Sequence, residues 1–398
     1  MLILPVNADA ATNQRLRDKI IDNNPLKTSQ DFNVTANDTN TDAQEGLFSI
    51  NDQNGTSHFF RGTHQLNNNV IFAGHQWKIL RIESNGNIRL IYNGLCPDNN
   101  CVINGAIPVQ MAAIGAGIYN LNTDNTSFAF EGSVIQGTIN SWFSDNANFS
   151  AEDRELIAQS TFCNELVPGS LELHNIWGLP SAGDGLGNNT TIYEPIQRLV
   201  GLSTPFGLDF STIPDITPQL TCPNEFIINS YAGLITADEL SIAGGVILSD
   251  NHNFFLNSGS EFWTMTPGAF MDNFAEVFTG GAFPSISANF IHNDMSEIAI
   301  RPVISLNSEV TVVGDGSAAN PYIITGLYEE TNDNSGNNND NNNHDVGQGS
   351  TPNTPDNSLD NNSDVQTSDG TILSGYIALI TLSGLIIFNL RKQKSKSF

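Results

Sequence analysis

The sequence predicts an α+β fold: antiparallel strands with a few short helices, followed by one C-terminal transmembrane helix. Three observations carry this. Asn85-Gly86 lies between two alternating apolar runs, 76–82 and 87–92, and Asn-Gly in that setting is the strongest short hairpin signal. Thr236-Ala237-Asp238-Glu239 is a capping box that opens a helix, and Gly244-Gly245 ends it. Ile372 to Leu390 (ILSGYIALITLSGLIIFNL) contains no charge. As a helix it spans about 28 Å, close to the roughly 30 Å hydrocarbon core of a bilayer.

In chain order, residues 1–10 read as the remnant of a signal peptide. Apolar Leu2–Val6 precedes Ala8-x-Ala10, which has the small residues a cleavage site needs. Residues 11–45 read as an N-terminal leader with a short helix, and residues 46–326 as the folded extracytoplasmic domain. Phe59–Gly62 is a strand beside the hairpin. Along 76–82, Trp77, Ile79 and Arg81 share one face and Lys78, Leu80 and Ile82 the other, so both faces are covered. Val134, Ile135, Ile139, Trp142 and Phe143 have helical spacing over 133–143. Ser150-x-x-Asp153 opens a second helix that is expected to run to about Cys163. An irregular Gly- and Pro-rich excursion follows from Asn164 to Asn229; such segments carry function or lie as pinned surface loops. Strands return at 262–266, 275–278, 298–306 and 310–324, the last broken by the turn Gly314-Asp315-Gly316.

Residues 327–371 are rich in Asn, Asp, Ser and Thr, including the run Asn337–Asn343. Such a segment cannot bury enough apolar surface to offset chain entropy, so it reads as a disordered stalk. Arg391, Lys392, Lys394 and Lys396 follow the apolar segment directly. Under the positive-inside rule, 372–390 is a single-pass helix in the cell membrane, 391–398 is a basic cytoplasmic tail, and everything before lies outside.

The net charge of −27 excludes a basic nucleic-acid footprint. Outside the membrane, four cysteines favour disulfides. Cys96 and Cys101 are close enough in sequence for a local bridge, and Cys163 would then pair with Cys222; the alternative is four free thiols. The seven histidines form no H-E-x-x-H or H-x-H pattern, and there is no G-x-S-x-G elbow, Walker loop or dinucleotide loop. No catalytic or metal-binding set emerges. Calcium is the one cation worth testing, since Asp184, Asp250 and Asn251 offer hard oxygens in turn-like segments; Asp and Asn also favour turns for their own sake. Trp177, in the excursion, is a candidate to stack on a sugar or a partner, with burial in the loop as the alternative. Trp77 and Trp263 are read as core. Arg301, before Pro302 in an apolar strand, is read as a structural arginine paired with a carboxylate.

The order of segments resembles a domain-of-unknown-function family of surface proteins from low-GC Gram-positive bacteria and their relatives. The matching stretches are Gly46–Phe48 with Phe59–Gly62, Val70–Tyr92, Phe162–Asn164, Thr221–Pro223, Gly233–Gly245, Phe262–Pro267, Ile300–Leu306 and Gly314–Ile324. They span nearly all of 46–326. More remotely, the set is similar to the C-type-lectin-like fold shared with formylglycine-generating enzymes. The resemblance implies a fold and supplies no catalytic residues. The expected function is a non-catalytic, adhesin-like cell-surface domain that binds a glycan or protein. The alternatives are a formylglycine-generating or glycan-modifying enzyme with its site in 164–229, and a structural surface-layer component.

Overall fold

The hairpin centred on Asn85-Gly86 is the spine of the molecule. In the computed structural model β6 (His75–Ile82) and β7 (Ile88–Leu95) pair antiparallel along their whole lengths. Gly86 turns the chain at φ +88°, a value that disfavours any residue with a Cβ. The structure describes residues 14–27, 45–96, 113–120, 129–170, 190–199, 217–247, 251, 253–271, 274–282, 285–291 and 298–328. The expected signal-peptide remnant 1–10, residues 329–371 of the expected stalk, the apolar segment 372–390 and the expected tail 391–398 lie outside the described residues. Among the described residues, no helix is long and apolar enough to cross a membrane.

Before the hairpin come β1 (Gln14–Arg15), α1 (Leu16–Asn23), β2 (Leu26–Lys27), β3 (Gly46–Asp52), β4 (Gly55–Arg61) and β5 (Asn69–Phe72). After it come α2 (Val134–Ser144), α3 (Ala151–Glu155), β8 (Ile157–Ala158), β9 (Ser160–Cys163) and β10 (Thr190–Ile192). A 3-10 turn at Glu194–Arg198 precedes β11 (Ile227–Ser230), β12 (Ala232–Gly233) and α4 (Ala237–Ala243). The chain closes with β13 (Phe262–Met271), β14 (Phe274–Gly280), β15 (Ile286–Phe290), β16 (Val303–Leu306), β17 (Val310–Val313) and β18 (Tyr322–Leu327). The class is α+β and mainly antiparallel, as expected.

Twelve of these strands form one sheet. β7 covers one edge of β6, so β5 and β4 share the other edge in succession, β5 against His75–Lys78 and β4 against Arg81–Ile82. From that edge the sheet forks. One branch continues β5-β18-β17-β1 and the other β4-β3-β2. On the far side β16 pairs with β7, and β12 and β8 share its outer edge. A second sheet runs β10-β13-β14-β15. Pro267 interrupts the β13–β14 register, which is where a strand tolerates a residue without an N–H. Both faces of the central hairpin are covered: Trp77, Ile79, Lys78 and Ile82 are all buried. Trp142 and Phe149 stack around His75, Trp77 and Tyr92, with ring centroids 5.0–6.4 Å apart.

Three expectations are corrected. The leader is not separate from the domain: β1 pairs with β17, β2 with β3, and Leu16 and Ile20 of α1 are fully buried in the main core. The helix expected from Ser150 to Cys163 has its capping box but stops at Glu155. The backbone then turns extended, because Ser160–Cys163 pairs with β11. The strand expected over 298–306 forms only at Val303–Leu306; Pro302 removes a donor, and upstream Ala299 makes two isolated bridges, to Ala116 and Phe262.

Candidate functional site

Arginines 81 and 89 stand on neighbouring strands of the hairpin, and burying them requires acids. Glu83, at the end of β6, and Glu239, on α4, supply these. Arg81 Nη1 donates to Glu239 Oε1 at 2.7 Å, and Arg89 Nε to Glu83 Oε1 at 2.8 Å. Arg89 Nη1 lies 3.4 Å from the same Glu239 oxygen. The other Glu239 oxygen accepts from the Thr236 backbone N–H at 3.0 Å, so one carboxylate both caps α4 and holds two guanidinium groups. Arg89 Nη2 donates to Ser160 Oγ at 2.8 Å and to the Thr161 carbonyl. Burial works against the Glu83 carboxylate, but Arg89 and Arg81 outweigh it and hold its pKa below the usual range.

The residue before Glu239 anchors a second network. Arg198 donates to Asp238 through Nε at 3.1 Å and Nη2 at 3.0 Å, and to Glu165 through Nη1 at 3.2 Å and Nη2 at 2.7 Å. Burial pushes the Glu165 carboxyl above its usual range despite Arg198. Burial also opposes the Arg198 charge, but Asp238 and Glu165 hold it protonated and its pKa rises.

A small cleft of about 30 Å³ opens over these groups. Arg81, Arg89 and Glu239 line its floor, and Phe162 and the Cys163–Cys222 disulfide its wall. A second, larger chamber of about 100 Å³ lies alongside. Gln53, Arg81 and Thr161 line both, and Gln53 Nε2 reaches Thr161 Oγ1 at 3.5 Å. The second chamber is walled mostly by side-chain amides and hydroxyls, among them Asn85, Gln159, Asn229 and Ser84, together with the charged Asp52, Glu83 and Arg81. Such a surface offers both donors and acceptors to a hydroxyl-rich ligand.

The candidate residues read from the sequence fall elsewhere. Trp177, Asp184 and Asp250 lie outside the described residues, as does Cys101. Asn251 is fully buried; its Nδ2 donates to the Gly244 carbonyl at 2.8 Å and its backbone N–H to Ser285 Oγ at 2.7 Å, so it fastens the end of α4. Cys163 and Cys222 are bridged, and Cys96 is disulfide-bonded too. Trp77 and Trp263 are core, with their indole N–H groups on the carbonyls of Phe72 and Gly117. Arg301 is buried as expected, but its expected carboxylate is replaced. It donates to the carbonyls of Tyr92 and Leu256 and to Asn93 Oδ1, and stacks over Phe262. Among the described residues no three His, Cys, Asp or Glu side chains converge as a metal site would require.

Sequence reasoning placed Arg81 on a face but missed Glu83, Arg89, Glu239 and Arg198 as a set. The available signal was a run of charges, Lys78, Arg81-x-Glu83 and then Arg89, inside a hairpin whose two faces are both buried. Compared with protein-family models, with curated proteins and with solved structures, the chain matches none of them.

Proposed function

We propose that this chain is a membrane-anchored cell-surface protein whose extracytoplasmic, C-type-lectin-like domain is a non-catalytic binding module for glycans. The observation that carries the reading is the paired cleft at Arg81. Its floor is a set of buried, ion-paired side chains already fixed in place, and its outer wall is amide and hydroxyl. A preorganised polar groove binds hydroxyl groups without first having to order its own side chains. The Cys163–Cys222 bridge beside it suits an oxidising, extracytoplasmic compartment.

The test is binding of the full chain, in detergent micelles, to a broad glycan array, with calcium and with chelator. Gln159 and Asn229 are exposed on the chamber wall, so Gln159→Ala with Asn229→Ala should leave the fold intact and lower glycan binding about tenfold, the equivalent of about 1.4 kcal/mol. Silence on the array under both conditions, or binding indifferent to the double substitution, sinks the glycan reading at this groove.

A further inference from the structure

Arg81 makes unequal use of its five donors. The Nη1 end is committed to Glu239 at 2.7 Å. The opposite edge, formed by Nε and Nη2, is not. Nε is buried and has no hydrogen-bond partner, and the nearest described acid to Nη2 is Glu83 Oε1, 3.8 Å away, an ion-pair contact too long for a hydrogen bond. Arg81 is only 8% exposed, and it lines both chambers. A buried N–H without an acceptor is costly. In this arginine the two uncommitted groups lie side by side, as a fork for one pair of acceptor oxygens.

A bare guanidinium fork would favour a carboxylate or a phosphate. The surroundings reverse that preference. The charges acting on Arg81 are Arg89 on one side and Glu239, Glu83 and Asp52 on the other. With Arg81 itself, two cations face three anions in a partly desolvated cleft, and an anionic ligand would raise the imbalance. An uncharged ligand takes both N–H groups without that penalty. The remaining wall of the chamber, with Gln53, Asn85, Gln159, Asn229, Ser84 and Thr161, is itself uncharged.

We infer that the Arg81 fork is the specificity element of the groove, and that it selects an uncharged saccharide through a vicinal hydroxyl pair or an acetamido carbonyl while rejecting uronic and sialic acids. This rests on the glycan reading above. The probes are maltotriose and tri-N-acetylchitotriose as neutral sugars, and trigalacturonate and sialyllactose as acidic ones, titrated into the full chain. At least one neutral sugar is expected to bind ten times or more tightly than either acid. Arg81→Lys keeps the charge but loses the fork, and should cost the neutral sugar tenfold or more. Should that variant fold poorly, the Arg81 Nε proton, followed in ¹⁵N-arginine-labelled wild-type chain, reports directly: bound neutral sugar should shift its resonance and slow its exchange with water. Tighter binding of the acidic sugars, or neutral-sugar binding that leaves this proton unmoved, overturns the inference while the glycan reading stands. Binding of no glycan, here or on the array, overturns both.

Discussion

Glu276 sits within β14 with no exposed surface, and neither of its carboxylate oxygens has a partner. Burial pushes its pKa up to about 8, from an ordinary value of 4.5. The folded chain therefore keeps a proton there that the unfolded chain has released. The stability gained from Glu276 is complete below pH 4.5 and falls by about 1.4 kcal/mol per unit as the pH rises to 8. Glu276→Gln stays neutral at every pH, so wild type should lose stability against it between pH 5 and 8 in chemical denaturation; parallel curves would falsify the assignment. Lys78 carries the opposite sign. Burial lowers it to about 7, with Arg301 adding to the effect, so against Lys78→Met wild type should gain stability from pH 7 to 10. Arg198 supplies a third case. Arg198→Met strands Glu165 and Asp238 without their counter-charge and should cost about 3–5 kcal/mol at pH 7, read as a lowered denaturation midpoint. None of these residues was legible as a site in the sequence. Glu276 stands as a lone charge in the apolar run Phe274–Phe278, and Arg198 meets its acids, Glu165 and Asp238, 33 and 40 residues away, so what surrounds each is set by distant parts of the chain.

At the scale of elements, legibility followed how local the determining interaction is. The β6–β7 hairpin and α4 were readable because their signals, Asn85-Gly86 and the Thr236–Glu239 box, act within four residues. The helix start at Ser150 was readable for the same reason, but its end was not: Cys163 is drawn into a ladder with Ile227, far along the chain. β9, β10 and β11 are short and depend on distant partners, so no periodic run marked them. α4 gives the sharpest test, because its cap is also part of the cleft. Thr236→Ala removes the hydroxyl that accepts from the Glu239 N–H at 3.1 Å. The stability cost should be about 1 kcal/mol. Glu239 also positions Arg81, so on the glycan proposal affinity should fall as well; a stability loss with affinity unchanged would separate the cap from the groove.

For the whole molecule, the Cys163–Cys222 bridge joins residues 59 apart in sequence. A loop of that length is worth about 4 kcal/mol in the chain-entropy account. Cys163→Ser with Cys222→Ser should lower the denaturation midpoint accordingly and widen the cleft whose wall the bridge forms, so that binding weakens even at temperatures where the chain remains folded. The domain boundary was misread at this scale. Nothing local in residues 14–27 says that β1 closes one branch of the forked sheet and β2 the other, with α1 spanning between them. One further property follows from the place of the last strand. β18 is paired antiparallel with β17 along its length, and parallel with β5 at Tyr322 and Ile323. Tension along β18, applied through the chain beyond Tyr328, would therefore load the β17 rungs together in shear instead of opening them one after another.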